Sequence, residues 1–482
     1  PIQTYSVESD GMSYEQRSFV APAGKDAAAR GDLDWVRHRA LGVAAFTVTN
    51  TTDAAATPAL SLTFGLAGEN TKPLLSMEGD RVVVRRGEEL LAVVAPASKD
   101  TTLGFDAEQG TVALDQSLAP GAAVKLVVYV PRWAGAEMGD IARPKHTETL
   151  AEATRQYWRK IMAGAMQVEV PDPLLNKLIP ASIVHCLLAA RNEDGAGIAP
   201  WISSLYYGPF ESESNAIVRA LQQTGLEEFS RRSLEYYIKR YNAEGFLTTG
   251  YTVMGTGWHL WALGEYFALT RDEAWLRANA AEIARVCDWI VRERHKTMRL
   301  DAQGKRVPEY GMMPPGVMAD WNVYAYYFYA NGYYCTGLKH AAEALAAIDW
   351  PGAEALLREA EEFAAAINQA FLHVQAQAPV VPLRTGAWVP YYPTQMLAPD
   401  RIELFYAGED VGRSWCYDIE LGAQHLVPMG IMPPDAPAVA WALSHMEDEH
   451  FLRSGWQYYP SEASHKDWFN LGGFSKVQPY YS

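Results

Sequence analysis

The sequence predicts a mainly α-helical chain in which an antiparallel β-sandwich domain precedes an (α/α) helical toroid. Short β-branched runs fill the first part of the chain, apolar and amphipathic helical segments alternate after about residue 145, and long connections alternate with short ones between those segments. We place the sandwich at 1–132, a linker with a helix at 133–165, and the toroid, expected to be incomplete at its C-terminus, at 166–482.

Six β-branched runs predict the strands of the sandwich. They follow one another at about 8–14 residues and are separated by turn-like stretches such as MEGD and RRGEE. This spacing indicates an antiparallel sandwich rather than alternating strands and helices. The runs are GVAAFTVTN, ALSLTFGLA, DRVVVRR, ELLAVVAP, GTVALDQ and AAVKLVVYVP.

Helical segments of two kinds follow the sandwich. After a linker helix in HTETLAEATRQYWRKIMAG, Asp172 and Pro173 are expected as the N-cap and first residue of the next helix. Segments such as GWHLWALGEYFAL are apolar on nearly all faces and have to be enclosed by others, whereas neighbours such as RDEAWLRANAAEIARVCDWIVRERHK are amphipathic. Two concentric layers satisfy this pattern. The further helices are predicted near 211–225, 226–244, 257–269, 271–296, 320–348, 351–373, 412–428 and 434–447.

The connections from outer to inner helices are long, and those from inner to outer helices are short. Long irregular connections in a compact domain are usually functional. In a two-layered ring they would all lie on one rim, where we place the site. The long connections are 193–210, 245–256, 297–319, 374–411 and 448–473.

Composition excludes several classes of function. A net charge of −16 disfavours nucleic acid and anionic membranes as partners. No apolar stretch is long enough to span a membrane, so we expect a soluble protein of the bacterial cytoplasm or periplasm. The 15 Trp and 26 Tyr are concentrated after residue 200, and flat aromatic rings are surfaces on which sugars stack. The four cysteines are far apart, so we interpret them as core residues.

The candidate catalytic groups are carboxylates. The sequence contains no GxSxG, Gly-rich phosphate loop or HExxH motif, and its histidines, among them His259, His425 and His465, are scattered; we therefore expect no cofactor and no metal. Two carboxyl groups are what the hydrolysis of a glycosidic bond needs.

Asp320, Glu213 and Glu462 are the predicted catalytic residues. Asp320 ends a long connection beside Trp321, Glu213 opens an inner helix, and Glu462 lies in an aromatic stretch without helical period. For the first two, helix capping is the structural alternative. The predicted substrate-binding residues, mostly aromatic, are Trp201, Tyr207, Glu211, Trp258, Trp321, Trp388, Asp410, Arg413, Trp415, Trp456, Asp467 and Trp468.

Two segments resemble those of a known group of enzymes. GTGWHLWALGEYFALTRDEAWL is similar to the inner–outer hairpin, and ADWNVYAYYFYANGYYCTGLKHAAEAL to the Gly-Asp-Trp helix, of glucoamylase-, trehalase- and bacterial α-L-rhamnosidase-like six-hairpin hydrolases. The resemblance implies a general acid in the loop before the sixth helix, which matches Asp320, and a base near the eleventh or twelfth helix. Ala319 stands where the rhamnosidase group has Gly and an Asp-Glu-Arg motif is missing, so rhamnose specificity is not implied.

The helical segments number about nine, whereas the ring of such enzymes has twelve. We therefore expect residues beyond 482 to complete the ring, in which case the base lies there and Glu462 binds substrate. A glycoside hydrolase acting on an oligosaccharide, polysaccharide or glycoside is the first hypothesis. A polysaccharide lyase, a glycoside phosphorylase and a non-catalytic carbohydrate-binding protein are the alternatives. The sugar, the linkage, the stereochemical outcome and the oligomeric state stay open.

Overall fold

The computed structural model describes residues 2–23, 39–65, 72–98, 101–141, 143–193, 197–200, 209–248, 255–318, 321–397 and 422–448. The chain divides into two compact units, Pro1–Gln167 and Val168–Ser482. No helix in these ranges combines the length and apolar character needed to cross a membrane.

The first unit contains two antiparallel sheets. A seven-stranded sheet has the order β1-β2-β3-β10-β7-β6-β5, and a three-stranded sheet has the order β4-β9-β8. Every pair of described strands in both sheets is antiparallel, as the sequence predicts. The strands are β1 (Gln3–Ser9), β2 (Met12–Pro22), β3 (Ala40–Asn50), β4 (Ser61–Thr63), β5 (Leu74–Glu78), β6 (Arg81–Arg86), β7 (Glu89–Pro96), β8 (Leu103–Asp106), β9 (Thr111–Leu114) and β10 (Ala123–Pro131).

Both faces of the seven-stranded sheet are covered. Val82 and Val84 of β6 point into a core shared with Val112 of the smaller sheet. Val83, between them, faces the other way and packs in the cluster that contains Leu150 of helix α1 (Thr147–Ala163). Successive side chains of a strand point to opposite faces, which explains why this strand is apolar at consecutive positions. The helix predicted as part of a linker therefore packs on the sheet.

The second unit is mainly helical. Its described α-helices are α2 (Leu175–Leu188), α3 (Glu211–Gln223), α4 (Glu227–Ile238), α5 (Gly255–Thr270), α6 (Glu273–His295), α7 (Phe328–Ala347), α8 (Ala353–Gln375) and α9 (Pro437–Met446). Three short hairpins lie between them: β11–β12 (Ala190–Glu193, Gly197–Pro200), β13–β14 (Gly316–Met318, Trp321–Ala325) and β15–β16 (Val380–Pro382, Trp388–Pro390).

Three helix predictions need correction. The helix expected over 320–348 begins only at Phe328, because Trp321–Ala325 pairs as a strand with Gly316–Met318. Asp172 accepts a hydrogen bond from the amide of Leu174 at 2.7 Å, but the helix starts at Leu175, so Asp172 is not its N-cap. Within the predicted helix 412–428, the described part forms a short 3-10 helix over Ala423–Leu426, and the remainder lies outside the described residues.

The helices from α3 to α8 form two sets. Helix α5 packs against α3 and α7, and α4, α6 and α8 pack against these three. We call α3, α5 and α7 the inner helices and α4, α6 and α8 the outer helices. Each inner helix leads to its outer partner through a short connection, 224–226, 271–272 or 348–352, whereas the connections 239–254 and 296–327 back to an inner helix are long. This confirms the predicted alternation of connections.

Glycines bring α5 and α7 into close contact. A Cβ atom added to Gly257 would lie 2.6 Å from the backbone of Tyr333, and one added to Gly264 would lie 2.6 Å from that of His340. From the first contact to the second, the chain advances from Gly257 to Gly264 in α5 and from Tyr333 to His340 in α7, which is the same distance in the same direction. Helices α5 and α7 therefore run parallel. Their N-terminal ends therefore lie together.

Candidate active site

Two long connections of the second unit lead to the same end of the inner helices α5 and α7. Because α5 and α7 are parallel, the connections 239–254 and 296–327 arrive at the same end. A third segment joins them there: Gln395 forms a β-bridge with Tyr327, and the amide of Phe328 donates to the carbonyl of Thr394 at 3.1 Å. We call this end, with the described residues 239–248, 296–318, 321–327 and 394–396, the rim.

Buried polar groups of α5 hold the first of these connections. The imidazole of His259 lies between the hydroxyl of Tyr241 and the carbonyl of Leu234, whose oxygen is 3.2 Å from Nε2. A carbonyl can only accept, so Nε2 carries the proton and Nδ1 accepts from Tyr241. One turn earlier, Thr256 Oγ1 accepts from the amide of Leu247 at 3.1 Å. His259 is therefore a hydrogen-bonded structural residue.

The same histidine gives the fold a pH dependence. Burial lowers the pKa of His259 from 6.5 to about 3. As the pH falls below 6.5, the unfolded chain takes up a proton that the folded chain refuses until about pH 3, so stability is lost in that window. The free energy of unfolding should fall by up to about 1.4 kcal/mol per pH unit more steeply than in His259→Gln. Denaturant titrations from neutral pH to pH 4 measure this difference, and equal slopes would contradict it.

Buried aromatic side chains of the inner helices α5 and α7 form a cluster. The ring of Trp258 stacks on that of Tyr333 with 4.1 Å between centroids. Tyr329 lies 4.6 Å from Tyr333 and 4.7 Å from His425, also measured between ring centroids. Trp258 is only 1% exposed, with Trp261 stacked 5.8 Å away. The prediction that Trp258 stacks on a sugar is therefore corrected, because protein rings already pack against it.

A carboxylate that is paired with an arginine lies towards the C-terminal end of α5. Arg219 of α3 donates two hydrogen bonds to Glu265, at 2.7 and 2.9 Å, and Gln222 donates a third at 3.1 Å. The Arg219 guanidinium carbon is 3.7 Å from the ring centroid of Trp261. Nearby, burial lowers the pKa of His340. These hydrogen bonds tie the inner helices α3 and α5 together.

The remaining predicted residues have these positions. Glu211 and Glu213 belong to the first turn of α3, and Trp321 belongs to β14, but the side chains of these three lie outside the described part. Trp388 of β16 is 66% exposed, so it does not line an enclosed pocket. Outside the described residues lie Trp201, Tyr207, Asp320, Asp410, Arg413, Trp415, Trp456, Glu462, Asp467 and Trp468. His465 and Cys416 lie there as well.

The described cysteines are free thiols. Cys287 and Cys335 are buried, and burial raises their pKa values, as expected for core thiols. Cys186 is partly buried and also free. Among the described residues, no three His, Cys, Asp or Glu side chains lie close enough to hold a metal ion.

Comparisons with known proteins rest on structure alone. No protein-family model matches the sequence, and no curated protein matches it. Among solved structures, a bacterial glucoamylase complexed with acarbose matches over 91% of this chain, with a TM-score of 0.51 and 11% identity. A putative kojibiose phosphorylase from human microbiome matches over 77% of this chain, with a TM-score of 0.37 and 12% identity.

This chain covers 66% of the glucoamylase and 54% of the phosphorylase. At such low identity the likeness concerns the fold, and it agrees with the resemblance seen in the sequence. The chain shares the fold of a bacterial glucoamylase.

Proposed function

We propose that the protein is a glycoside hydrolase that cleaves a glycosidic bond at the rim by carboxylate general acid/base catalysis. The fold shared with a glucoamylase over most of the chain is the observation that carries this proposal. The parallel packing of α5 and α7 supports the location, because it brings the long connections to a common end. A complete (α/α) toroid, of which the inner and outer helices form one part, belongs to the proposal.

Asp320 is the proposed general acid. It stands in the chain between β13 and β14, within the connection that reaches the rim. Glu213, in the first turn of inner helix α3, is the second candidate carboxylate, and Glu462 serves as base or as a binding residue. One carboxylic acid would protonate the leaving oxygen while a carboxylate activates water or attacks the anomeric carbon.

The proposed sugar-binding surface consists of the aromatic residues in the connections, with Trp258 removed from the set. Trp201, Trp321, Trp415 and Trp456 remain its main candidates. Stacking of a sugar on such rings would hold the substrate, and the carboxylates would act on the bond between the bound sugars. Because the glucoamylase complex holds acarbose, acarbose is the first ligand to test.

Product analysis in ¹⁸O-water tests the proposed reaction. The full-length protein is incubated with a panel of oligosaccharides and glycosides, with and without inorganic phosphate. Hydrolysis should release a reducing sugar that carries one ¹⁸O atom at its anomeric carbon, without a requirement for phosphate. A sugar phosphate formed only with phosphate would indicate a phosphorylase, and an unsaturated sugar without ¹⁸O would indicate a lyase. Either product would contradict the proposal.

A further inference from the structure

A buried side-chain amide contacts both ends of the segment that contains β13 and β14. We call this segment, residues 314–326, the excursion. Asn331, in the first turn of α7, is 2% exposed. Its Nδ2 donates to the carbonyl of Tyr327 at 2.8 Å, after β14, and its Oδ1 accepts from the amide of Met313 at 2.8 Å, before β13. One side chain therefore holds the two points between which residues 314–326 leave and return.

Two further side chains hold the residues before β13, 311–313, which we call the stem. Thr297 Oγ1 accepts from the amide of Gly311 at 3.1 Å, and its hydroxyl has two carbonyl acceptors in reach, that of Met312 at 2.6 Å and that of Arg294 at 2.8 Å. Arg294, 1% exposed and paired with Glu359, donates to the carbonyl of Gly311 at 3.2 Å. A buried connection would leave backbone groups unpaired, and these side chains satisfy them.

The link from this stem to β13 is stiff. Only Pro314 and Pro315 separate Met313 from Gly316, the first residue of the strand. A proline ring fixes φ, and a proline that precedes another is further restricted in ψ. The position of Met313 is thus transmitted to β13, which pairs with β14 through Gly316 and Ala325.

We propose that Asn331 is a positioning residue, supported by Thr297, that sets where the excursion 314–326 stands on the rim. This inference rests on the proposed function, because Asp320 lies within that excursion. A general acid has to be held close to the leaving oxygen, and a displacement of about 1 Å can cost about 100-fold in rate. We call the hydrogen bonds that Asn331 and Thr297 make to residues 311–313 and 327 the staple. Loss of the staple would therefore reduce kcat, while other residues would still bind the substrate.

Four variants of the full-length protein test the staple. Asn331→Leu keeps the size of the side chain and removes both hydrogen bonds. Thr297→Val removes the hydroxyl with little change in shape, and Thr297→Ser restores it. Thr154→Val is the matched control in the other compact unit, because Thr154 is also buried and donates to a backbone carbonyl, that of Val20 at 2.7 Å.

The measurements are amide hydrogen exchange, followed by mass spectrometry, and steady-state kinetics on the substrate identified by product analysis. Asn331→Leu and Thr297→Val should speed exchange in peptides covering 309–327 but not in those covering α6. Their kcat should fall by about 10- to 100-fold with KM little changed. Thr297→Ser should restore both properties, and Thr154→Val should leave both as in the wild type.

The outcomes separate the staple from the proposed function. Unchanged exchange over 309–327 would overturn the staple, and faster exchange with unchanged kcat would overturn its positioning role. If Asn331→Leu does not fold, Thr297→Val and Thr297→Ser decide the same question. A wild type without glycoside hydrolysis would overturn the proposed function, and with it the catalytic role of Asn331, whereas the exchange data would still report on the hydrogen bonds.

Discussion

Replacement of Asp320 by asparagine is expected to abolish most turnover and to leave the fold intact. Asparagine has nearly the same shape but cannot deliver a proton to the leaving oxygen, and a positioned general acid contributes about 10²–10⁴-fold. Helix α7 begins at Phe328 with Tyr327 as its N-cap, so the loss of activity would not be that of a helix cap. Measurement of kcat and of the denaturation midpoint on the same preparation tests this expectation.

The choice of substrate provides the control for this variant. A glycoside with an activated aryl leaving group needs little protonation, so Asp320→Asn should lose much less rate on it than on an oligosaccharide. Equal losses on both substrates would argue that Asp320 is not the acid. If the variant keeps most of its activity on both, the acid lies elsewhere, and Glu213→Gln becomes the variant to test.

Gly264→Ala is expected to destabilise the second unit by about 2 kcal/mol. Helix propensity alone predicts a gain of about 1 kcal/mol, because glycine is unfavourable within a helix. The new Cβ, however, would lie 2.6 Å from the backbone of His340, which cannot move aside as a flexible side chain would. Overpacking typically costs about 1–3 kcal/mol, and a backbone contact places this site at the upper end of that range.

Gly139→Ala is the control for this substitution. A Cβ atom at Gly139 meets no atom within 4 Å, and this glycine lies in the first unit. Its free energy of unfolding should therefore stay near that of the wild type. Denaturant titrations of both variants make the comparison, and an unchanged or increased stability of Gly264→Ala would contradict the close parallel packing of α5 and α7.

The sequence predicts strands correctly where both faces of the strand are covered. Strand β6 has three consecutive valines, and β7 and β10 are rich in Val and Leu, which gives a strong signal. Strand β1 was not predicted, because all its residues are exposed at the edge of the sheet and only Tyr5 and Val7 among them are large apolar residues. Its hairpin with β2 could have been found from Asp10 and Gly11, which have φ values of 51° and 73° and are typical of a two-residue turn.

The candidate site could be predicted only in outline. The sequence WNVYA is aromatic and β-branched and continues into an apolar helix, so its pattern alone does not distinguish strand from helix. Trp258 belongs to a helix that is buried on nearly all sides, where an aromatic residue is more often part of the core than of a binding surface. The hydrogen bond between Asn331 and Met313 joins distant positions and leaves no local signal in the sequence.

A crystal structure of full-length Asp320→Asn with a bound oligosaccharide tests the central claim most directly. We predict that the sugar lies at the rim, that residue 320 contacts the oxygen of a glycosidic bond, and that a second carboxyl group lies across that bond. The separation of the two carboxyl positions would then indicate the stereochemical outcome, about 5–5.5 Å for retention and about 6.5–9.5 Å for inversion. A sugar bound away from the rim, or one beyond the reach of residue 320, would contradict the account.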